Sequence, residues 1–251
     1  MESEITNAVI LMAGSGSRLR ASGENLPKPL IPIHGRPLVS YLIAAMEKSG
    51  VTNLHIVVGL HGRDLASKIS PLLPSSMRLN EILNPESHKQ NGLSVLCAGE
   101  HVTEPFLLLM GDHLFEFPLL ERLIERSEHG FLNLAVDRKL TTILDLEDAM
   151  KVQTRGELVS AIGKNLASYD AIDTGVFLCP NEFFEYLRCA RKDGDCSLAD
   201  GVRLMAADRR VRAIDIGPAW WQDVDTMAMR ARAEEELSRR PLAGTSATVV
   251  R

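Results

Sequence analysis

The chain has 251 residues, of which 45% are hydrophobic, and this length and composition suit one large α/β domain with a sizeable core. A formal net charge of −5, without a run of basic residues, argues against general nucleic-acid binding, which rests on many phosphate contacts. The four cysteines lack metal-site or disulfide-framework spacing, and no apolar run reaches the ~20 residues of a membrane span, so we expect reduced, buried thiols and no transmembrane segment.

A glycine-rich loop follows the first predicted strand. Residues 8–12 form a short apolar run that is typical of a buried parallel strand, and the loop begins at its carboxyl end, where open α/β sheets bind ligands. Gly14 and Gly16 would let backbone N–H groups approach phosphate oxygens, while Arg18 and Lys28 supply positive charge. The spacing fits neither a dinucleotide fingerprint nor a P-loop. For the loop alone, a glycine turn with two solvated basic residues is the alternative.

Strands and helices then alternate along the chain. Pro37 opens a helix that Gly50 ends. The pattern next predicts a strand at 54–58, a helix near 62–70, a strand at 79–83, a helix near 92–101 and a strand at 106–110. This alternation implies an α/β fold of the Rossmann-like kind, with a mixed, mostly parallel sheet and helices on both faces.

The regular alternation of strands and helices is interrupted after Gly130. Strands are predicted at 131–136, 150–153, 158–162 and 172–178, with little helix between them. We interpret residues 131–178 as an elaboration packed on the same sheet that shapes the pocket of a second substrate. Helices near 180–188 and 197–207, a strand at 211–216 and a helix at 227–239 complete a single domain over 1–240, and the aperiodic residues 241–251 are predicted to form a flexible tail.

Carboxylates follow the strand at 106–110 and precede the last helix. Asp112 should emerge at the carboxyl edge of a central strand, where it could bind Mg²⁺ or cap the following helix. Asp223 and Asp225 have the same two alternatives at the last helix. His113 is interpreted as a neighbour of the substrate or as a structural hydrogen-bonding group.

The pattern Ala13-Gly14-x-Gly16-x-Arg18, followed by Pro27-Lys28, resembles the signature of the nucleotidyltransferases that make sugar-nucleotides and CDP-alcohols. Within that family, the chain from residue 8 to about 237 is most similar to the CTP:inositol-1-phosphate cytidylyltransferases. The segments that carry this resemblance are Ala135–Arg138, Asp145–Val152, Gly163–Leu166, Ile172–Gly175 and Trp221–Thr226. Met150 departs from the pattern, because threonine is expected there.

The resemblance implies the nucleotide-diphospho-sugar transferase fold and a Mg²⁺-dependent reaction. CTP and inositol-1-phosphate would give CDP-inositol and pyrophosphate by in-line attack on the α-phosphate. Arg18, Lys28 and Lys164 would be catalytic, and Asp112 with Asp225 would hold the metal, with Asp223 in reserve. The nucleotide would contact Leu11, Ala13, Gly14, Ser15, Gly16, Gln90, Gly92 and Ser94, and the acceptor would contact Asp148, Lys164 and Asp173.

Alternatives remain for several of these features. Ser94 could simply cap a helix, and Lys164 could be an exposed strand-end lysine. The acceptor could be a sugar-1-phosphate, phosphocholine or 2-aminoethylphosphonate, and a cationic head group would call for an aromatic or acidic cage, for which Tyr169, Asp170 and Asp173 are the candidates. A non-catalytic nucleotide-sensing subunit is the alternative from another class.

The expected setting follows from the amino terminus and from the resemblance. Met-Glu-Ser-Glu at the start is acidic, unlike a signal peptide, so we expect a cytoplasmic protein. The resemblance implies a homodimer. It also implies that a separate membrane-embedded alcohol phosphotransferase uses the product, because related enzymes are often fused to one.

Overall fold

The fold is seen in a computed structural model, which describes residues 5–14, 19, 23, 26–62 and 64–240. The predicted loop residues Ser15, Gly16 and Arg18 and the predicted tail at 241–251 lie outside the described residues. Within the described part of the chain, no helix is long and apolar enough to cross a membrane.

The described strands and helices include every element that the sequence pattern predicts, with bounds that agree within a few residues. The strands are β1 (Asn7–Met12), β2 (Pro32–Ile33), β3 (Arg36–Pro37), β4 (Asn53–Gly59), β5 (Arg78–Asn84), β6 (Phe106–Met110), β7 (His113–Phe115), β8 (Leu132–Asp137), β9 (Lys151–Arg155), β10 (Leu158–Gly163), β11 (Ala171–Cys179), β12 (Val211–Asp215) and β13 (Trp221–Asp223). The helices are α1 (Leu38–Lys48), α2 (Leu65–Ile69), α3 (Asn91–Ala98), α4 (Phe117–Glu125), α5 (Phe183–Ala190), α6 (Leu198–Ala207) and α7 (Met227–Arg239).

A nine-stranded mixed sheet organises the molecule. Its strand order is β5-β4-β1-β6-β11-β8-β12-β10-β9. Strands β5, β4, β1 and β6 are mutually parallel, and β8 pairs in parallel with β12, whereas β10 and β11 run in the opposite direction. Because β11 lies between β6 and β8, segment 131–178 supplies central strands of the sheet and is more than an attachment at its edge.

Helices cover both faces of this sheet, as predicted. The side chains of β1 alternate between them: Ala8 and Ile10 join a buried cluster with residues of α1, α4 and α7, while Val9 and Leu11 join a second cluster with residues of α3, α5 and α6. A strand that is buried on both faces needs a continuous apolar sequence, which explains the run at 8–12.

The cysteines are only partly as expected. All four are free thiols, and Cys179 and Cys196 are buried, but Cys189 is exposed and Cys97 is partly exposed. The expectation of four buried thiols is wrong for Cys189, because α5 buries Phe183, Phe184 and Leu187 and turns its other side to solvent.

Candidate functional site

The carboxyl ends of β1 and β6 meet at one edge of the sheet, as the sequence predicted. The backbone N–H of Gly111 donates to the carbonyl oxygen of Leu11 at 3.0 Å. A Cβ at position 111 would lie 2.8 Å from Met12 Cγ and 2.9 Å from that carbonyl oxygen, so only glycine fits. Asp112 therefore leaves the sheet beside the start of the glycine-rich loop.

Lys28 lies between two carboxylates at this edge. Its Nζ donates to Asp112 Oδ2 at 2.9 Å and to Asp225 Oδ1. Burial would lower the pKa of Lys28, but the charges and hydrogen bonds of Asp112 and Asp225 outweigh burial and raise it. The ammonium group is thus kept charged beside two acids, of which Asp225 lies 197 residues further along the chain than Lys28.

None of the three aspartates Asp112, Asp223 and Asp225 caps a helix. Glu116 occupies the cap position of α4, and Thr226 caps α7 by accepting a hydrogen bond from the Met229 N–H at 3.2 Å. The capping alternatives for Asp112, Asp223 and Asp225 are therefore wrong. A two-stranded ribbon that the sequence pattern did not predict explains the difference, because β7 follows Asp112 directly and pairs with β13, which ends at Asp223.

His113 contacts the second oxygen of the Asp112 carboxylate. Its Nδ1 lies 2.8 Å from Asp112 Oδ1, and its ring stacks on Trp221 with centroids 5.8 Å apart. Burial acts to raise the pKa of Asp112, but the hydrogen bond and charge of His113, together with Lys28, hold that pKa well below its ordinary value. Burial also raises the pKa of Asp223, with added repulsion from Asp225 and Asp112. Asp112 therefore binds a proton much less readily than Asp223 does.

Two cavities meet at Asp112. The smaller, of about 210 Å³, extends from the glycine-rich loop, and the larger, of about 460 Å³, lies between β11, β13, segment 139–150 and α7. Asn91, Met110 and Asp112 line both. A molecule in one cavity would therefore adjoin a molecule in the other beside the Asp112 carboxylate.

Four of the six described residues predicted to bind nucleotide line the smaller cavity, namely Leu11, Ala13, Gly14 and Ser94. Lys28, predicted to be catalytic, is also part of its wall. Ser94 lies inside α3 and accepts a hydrogen bond from Asn84 Nδ2 at 2.9 Å, so the capping alternative for it is wrong.

Gln90 and Gly92 lie next to this wall and are not part of it. The Gln90 backbone N–H donates to Asp195 Oδ1 at 3.1 Å, and a Cβ at position 92 would lie 2.5 Å from the Cys196 carbonyl oxygen. Glycine is needed there because α3 packs closely against the segment that leads into α6.

Sequence reasoning missed two polar residues of the smaller cavity, Ser87 and Lys89. Lys89 pairs with Glu86 and also donates to the Gly194 carbonyl oxygen. A usable signal existed, because these residues follow β5, whose carboxyl end lies at the same edge as that of β1.

Two of the three residues predicted to bind the acceptor, Asp148 and Asp173, line the larger cavity. The third, Lys164, is not part of its wall and forms an ion pair with Asp148. Burial raises the pKa of Asp173 to about 6, although its Oδ1 accepts a hydrogen bond from the Gly175 N–H at 2.7 Å. Lining residues that sequence reasoning did not assign include Asp137, Lys139, Trp220, Trp221 and Arg232.

Asp137 connects two of these additional residues. Its Oδ2 accepts a hydrogen bond from Trp221 Nε1 at 2.9 Å, and its Oδ1 pairs with Lys139 Nζ at 2.8 Å. Of the candidates for a cationic cage, Asp173 lines this cavity, but Tyr169 and Asp170 do not. Tyr169 has the Lys151 ammonium 5.7 Å from its ring centre, and Asp170 pairs with Arg138 and Thr154.

Comparison with known proteins identifies a family that matches this chain. Residues 8–143 match the family described as the MobA-like NTP transferase domain. The chain is 34% identical over 225 residues to the bifunctional IPC transferase and DIPP synthase of Rubrobacter xylanophilus, covering 89% of this chain and 50% of that protein. It is 36% identical over 122 residues to the CMP-5'-(3-aminopropyl)phosphonate synthase of Streptomyces rubellomurinus, covering 48% of this chain and 19% of that protein.

A solved structure agrees with these matches. The inositol-1-phosphate CTP transferase from T. maritima superposes with a TM-score of 0.85 at 26% identity, covering 97% of this chain and 100% of that one. The chain spans about half the length of the curated bifunctional relatives that it matches.

Proposed function

Since the chain belongs to the family of MobA-like NTP transferases, we propose that it couples CTP and inositol-1-phosphate to CDP-inositol and pyrophosphate. The observation that carries this proposal is the meeting of two cavities at Asp112, one beside the glycine-rich loop and Lys28, the other lined by Asp148 and Asp173. A transfer between two bound substrates needs two adjoining sites that share a reaction centre. The names of the bifunctional relatives and of the T. maritima enzyme support the choice of substrates.

In this mechanism CTP occupies the smaller cavity and the acceptor the larger. A phosphate oxygen of the acceptor attacks the α-phosphorus in line, the new P–O bond forms, and the bond to the β-phosphate breaks as pyrophosphate leaves with the electron pair. No covalent enzyme intermediate and no strong base are required, because the acceptor phosphate is already ionised. The protein positions two anions and neutralises their charge. Lys28 and Arg18 would act on the nucleotide's phosphates, and Lys164 on the attacking phosphate.

We propose Mg²⁺ as the cofactor, held by Asp112 and Asp225. The two carboxylates already approach one cation, the Lys28 ammonium, and carboxylate oxygens suit this hard ion. Among the described residues, no group of three or more His, Cys, Asp or Glu side chains could hold a metal, so nucleotide phosphates and water would complete the coordination. A bound Mg²⁺ would neutralise phosphate charge at the reaction centre.

The metal assignment predicts unequal effects of two neighbouring substitutions. Asp225→Asn should lower Mg²⁺-dependent turnover by about 100-fold and weaken Mn²⁺ binding, because it removes one of the two carboxylates beside Lys28. Asp223→Asn should have a smaller effect on Mn²⁺ affinity. The measurements are initial rates and a Mn²⁺ titration of each folded variant. The opposite order of effects would transfer the metal role to Asp223.

The substrate assignment is tested by pyrophosphate release with CTP and a panel of acceptors. We expect turnover with inositol-1-phosphate to exceed turnover with glucose-1-phosphate, phosphocholine and 2-aminoethylphosphonate. Replacing CTP by UTP, GTP or ATP should lower the rate. Tight CTP binding without turnover on any acceptor would instead favour the nucleotide-sensing subunit.

A cationic acceptor is the second candidate, because the larger cavity combines aromatic and acidic groups. Trp220 and Trp221 line it together with Asp137, Asp145 and Asp173, an arrangement that could hold an ammonium group. The partial match to the phosphonate synthase of S. rubellomurinus supports this candidate. Stronger turnover with 2-aminoethylphosphonate or phosphocholine than with inositol-1-phosphate would decide in its favour. The homodimer, the cytoplasmic location and the separate membrane phosphotransferase stay predictions.

A further inference from the structure

The imidazole of His113 is held in one orientation from several sides. Nδ1 contacts Asp112 Oδ1 at 2.8 Å, and one ring face stacks on Trp221 at an interplanar angle of 14°. Trp221 is itself fixed by its hydrogen bond to Asp137. Gly175 has φ +73°, and a Cβ there would lie 2.8 Å from Nε2, so the absence of a side chain makes room for the ring. Such support is typical of a preorganised functional group.

Among the residues that the structure describes, the far nitrogen of this ring has no hydrogen-bond partner. Within the described part of the chain, Nε2 of His113 makes no hydrogen bond, and the one buried side-chain nitrogen or oxygen left without a partner is His55 Nδ1. Nε2 of the partly exposed His113 is therefore not sealed in the core. His113 lines the larger cavity and not the smaller one, whereas the adjacent Asp112 lines both. Nε2 is thus placed on the acceptor side, next to the point where the cavities meet.

We propose that His113 Nε2 hydrogen-bonds a hydroxyl group of the acceptor beside Asp112, which makes a polyol phosphate the preferred acceptor class. This inference rests on the proposed function and adds to it a specificity-determining residue. An ionised carboxylate only accepts hydrogen bonds, so the Nδ1 nitrogen carries the proton shared with Asp112. A hydroxyl can accept from a protonated Nε2 or donate to an unprotonated one, so the contact does not depend on the charge of the ring.

Two substitutions separate the contacts of the two nitrogens. In His113→Asn the amide nitrogen takes the place of Nδ1, which keeps the hydrogen bond to Asp112 and removes Nε2. In His113→Gln the amide reaches toward the place of Nε2 and gives up the bond to Asp112. His129→Asn is the matched control, because His129 is exposed and lines neither cavity.

The experiment measures kcat and KM for CTP and for inositol-1-phosphate, and calorimetric binding of inositol-1-phosphate to each protein loaded with CTP in Ca²⁺. His113→Asn should raise KM and Kd for inositol-1-phosphate about tenfold, the size of one lost hydrogen bond, and leave KM for CTP within about twofold. His113→Gln should recover part of the acceptor affinity and lose kcat. The His129→Asn control should match wild type.

The outcomes separate this inference from the proposed function. If wild type turns over inositol-1-phosphate and His113→Asn binds it equally well, His113 only positions Asp112 and the inference is wrong while the proposed function stands. If wild type prefers phosphocholine, which lacks a hydroxyl group, the polyol assignment is wrong. If wild type neither binds nor converts any acceptor, the proposed function and the inference fall together.

Discussion

Asp173 combines a place in the larger cavity with a carboxyl group that burial makes hard to ionise. Its pKa in the folded protein is about 6, against 3.8 for an unperturbed group. Because the folded state binds this proton more tightly than the unfolded state does, stability falls as the pH rises from about 4 to 6, and the charged form costs about 3 kcal/mol above that range. The carboxylate that would contact the acceptor is thus expected to destabilise the free protein.

Asp173→Asn should therefore stabilise the protein at neutral and alkaline pH. The amide oxygen can still accept the hydrogen bond from Gly175, and the buried charge is gone. We expect the free energy of unfolding in urea to rise by about 3 kcal/mol at pH 8, and the difference to shrink below about 1 kcal/mol at pH 4, while turnover falls.

Asp193→Asn is the control for this comparison, because Asp193 is exposed, and it should change stability little at either pH. Equal stability of wild type and Asp173→Asn at pH 8 would show that the carboxyl group is not strained by burial.

For single residues, the sequence predicted where the site residues lie better than it predicted which side chains they contact. A short apolar strand followed by Gly111-Asp112 was enough to place Asp112 beside the glycine-rich loop, because parallel strands end at one edge. Nothing local shows that Lys28 pairs with Asp225, which is 197 residues away. The cavity contacts of Lys89 and Trp220 likewise depend on how distant segments pack.

The junction between β13 and α7 positions Asp225. Thr226 caps α7 through the Met229 N–H at 3.2 Å, and Gln222 Nε2 donates to the Met229 carbonyl oxygen at 2.6 Å. Residues on both sides of Asp225 are therefore tied to the same turn of helix. The geometry of the acid follows from the start of the helix and not only from its own contacts.

Removal of the cap should affect stability and the site together. Thr226→Ala is expected to lower the free energy of unfolding by about 1 kcal/mol and, because Asp225 is adjacent, to lower Mn²⁺ affinity severalfold. Thr226→Ser keeps a hydroxyl at the cap and should behave as wild type. Thermal unfolding and a Mn²⁺ titration test both effects. A stability loss without any change in Mn²⁺ affinity would contradict the link between the cap and Asp225.

Short elements explain what the sequence pattern missed. Strands β7 and β13 have three residues each, too few to show an alternating pattern, and their pairing joins segments about a hundred residues apart. The ribbon decides that Asp112 and Asp223 are not helix caps. Longer elements were predicted because α7 repeats its buried positions over several turns and β11 is a long, nearly continuous apolar run.

Strand β11 connects the two parts of the main sheet, and it is antiparallel to its neighbour β6. Strand β11 pairs with β6 on one side and with β8 on the other, so the parallel half of the sheet and segment 131–178 share one continuous ladder. The sequence predicted β11 as a strand, but its direction could not be predicted, since a run of buried residues is the same in either orientation. The position of β11 in the centre of the sheet depends on its pairing with β6 and β8, which are distant in sequence.

This continuity predicts a single unfolding transition. Residues 1–240 are predicted to be one domain, and separation of segment 131–178 would break the ladder between β11 and β6 and the ladder between β8 and β12. We expect far-ultraviolet circular dichroism and calorimetry to give one midpoint, with equal van't Hoff and calorimetric enthalpies. Two resolved transitions would mean that the halves unfold independently and that the single-domain prediction is wrong.

The chain has two tryptophans, Trp220 and Trp221, and both line the larger cavity. All of the indole fluorescence therefore originates at the wall of the proposed acceptor site. Addition of inositol-1-phosphate to the CTP-bound protein in Ca²⁺ should shift or quench this emission, whereas CTP alone, bound in the smaller cavity, should change it much less. The unlabelled protein thus carries its own optical probe for the second substrate, and the order in which the substrates bind becomes measurable by stopped-flow fluorescence.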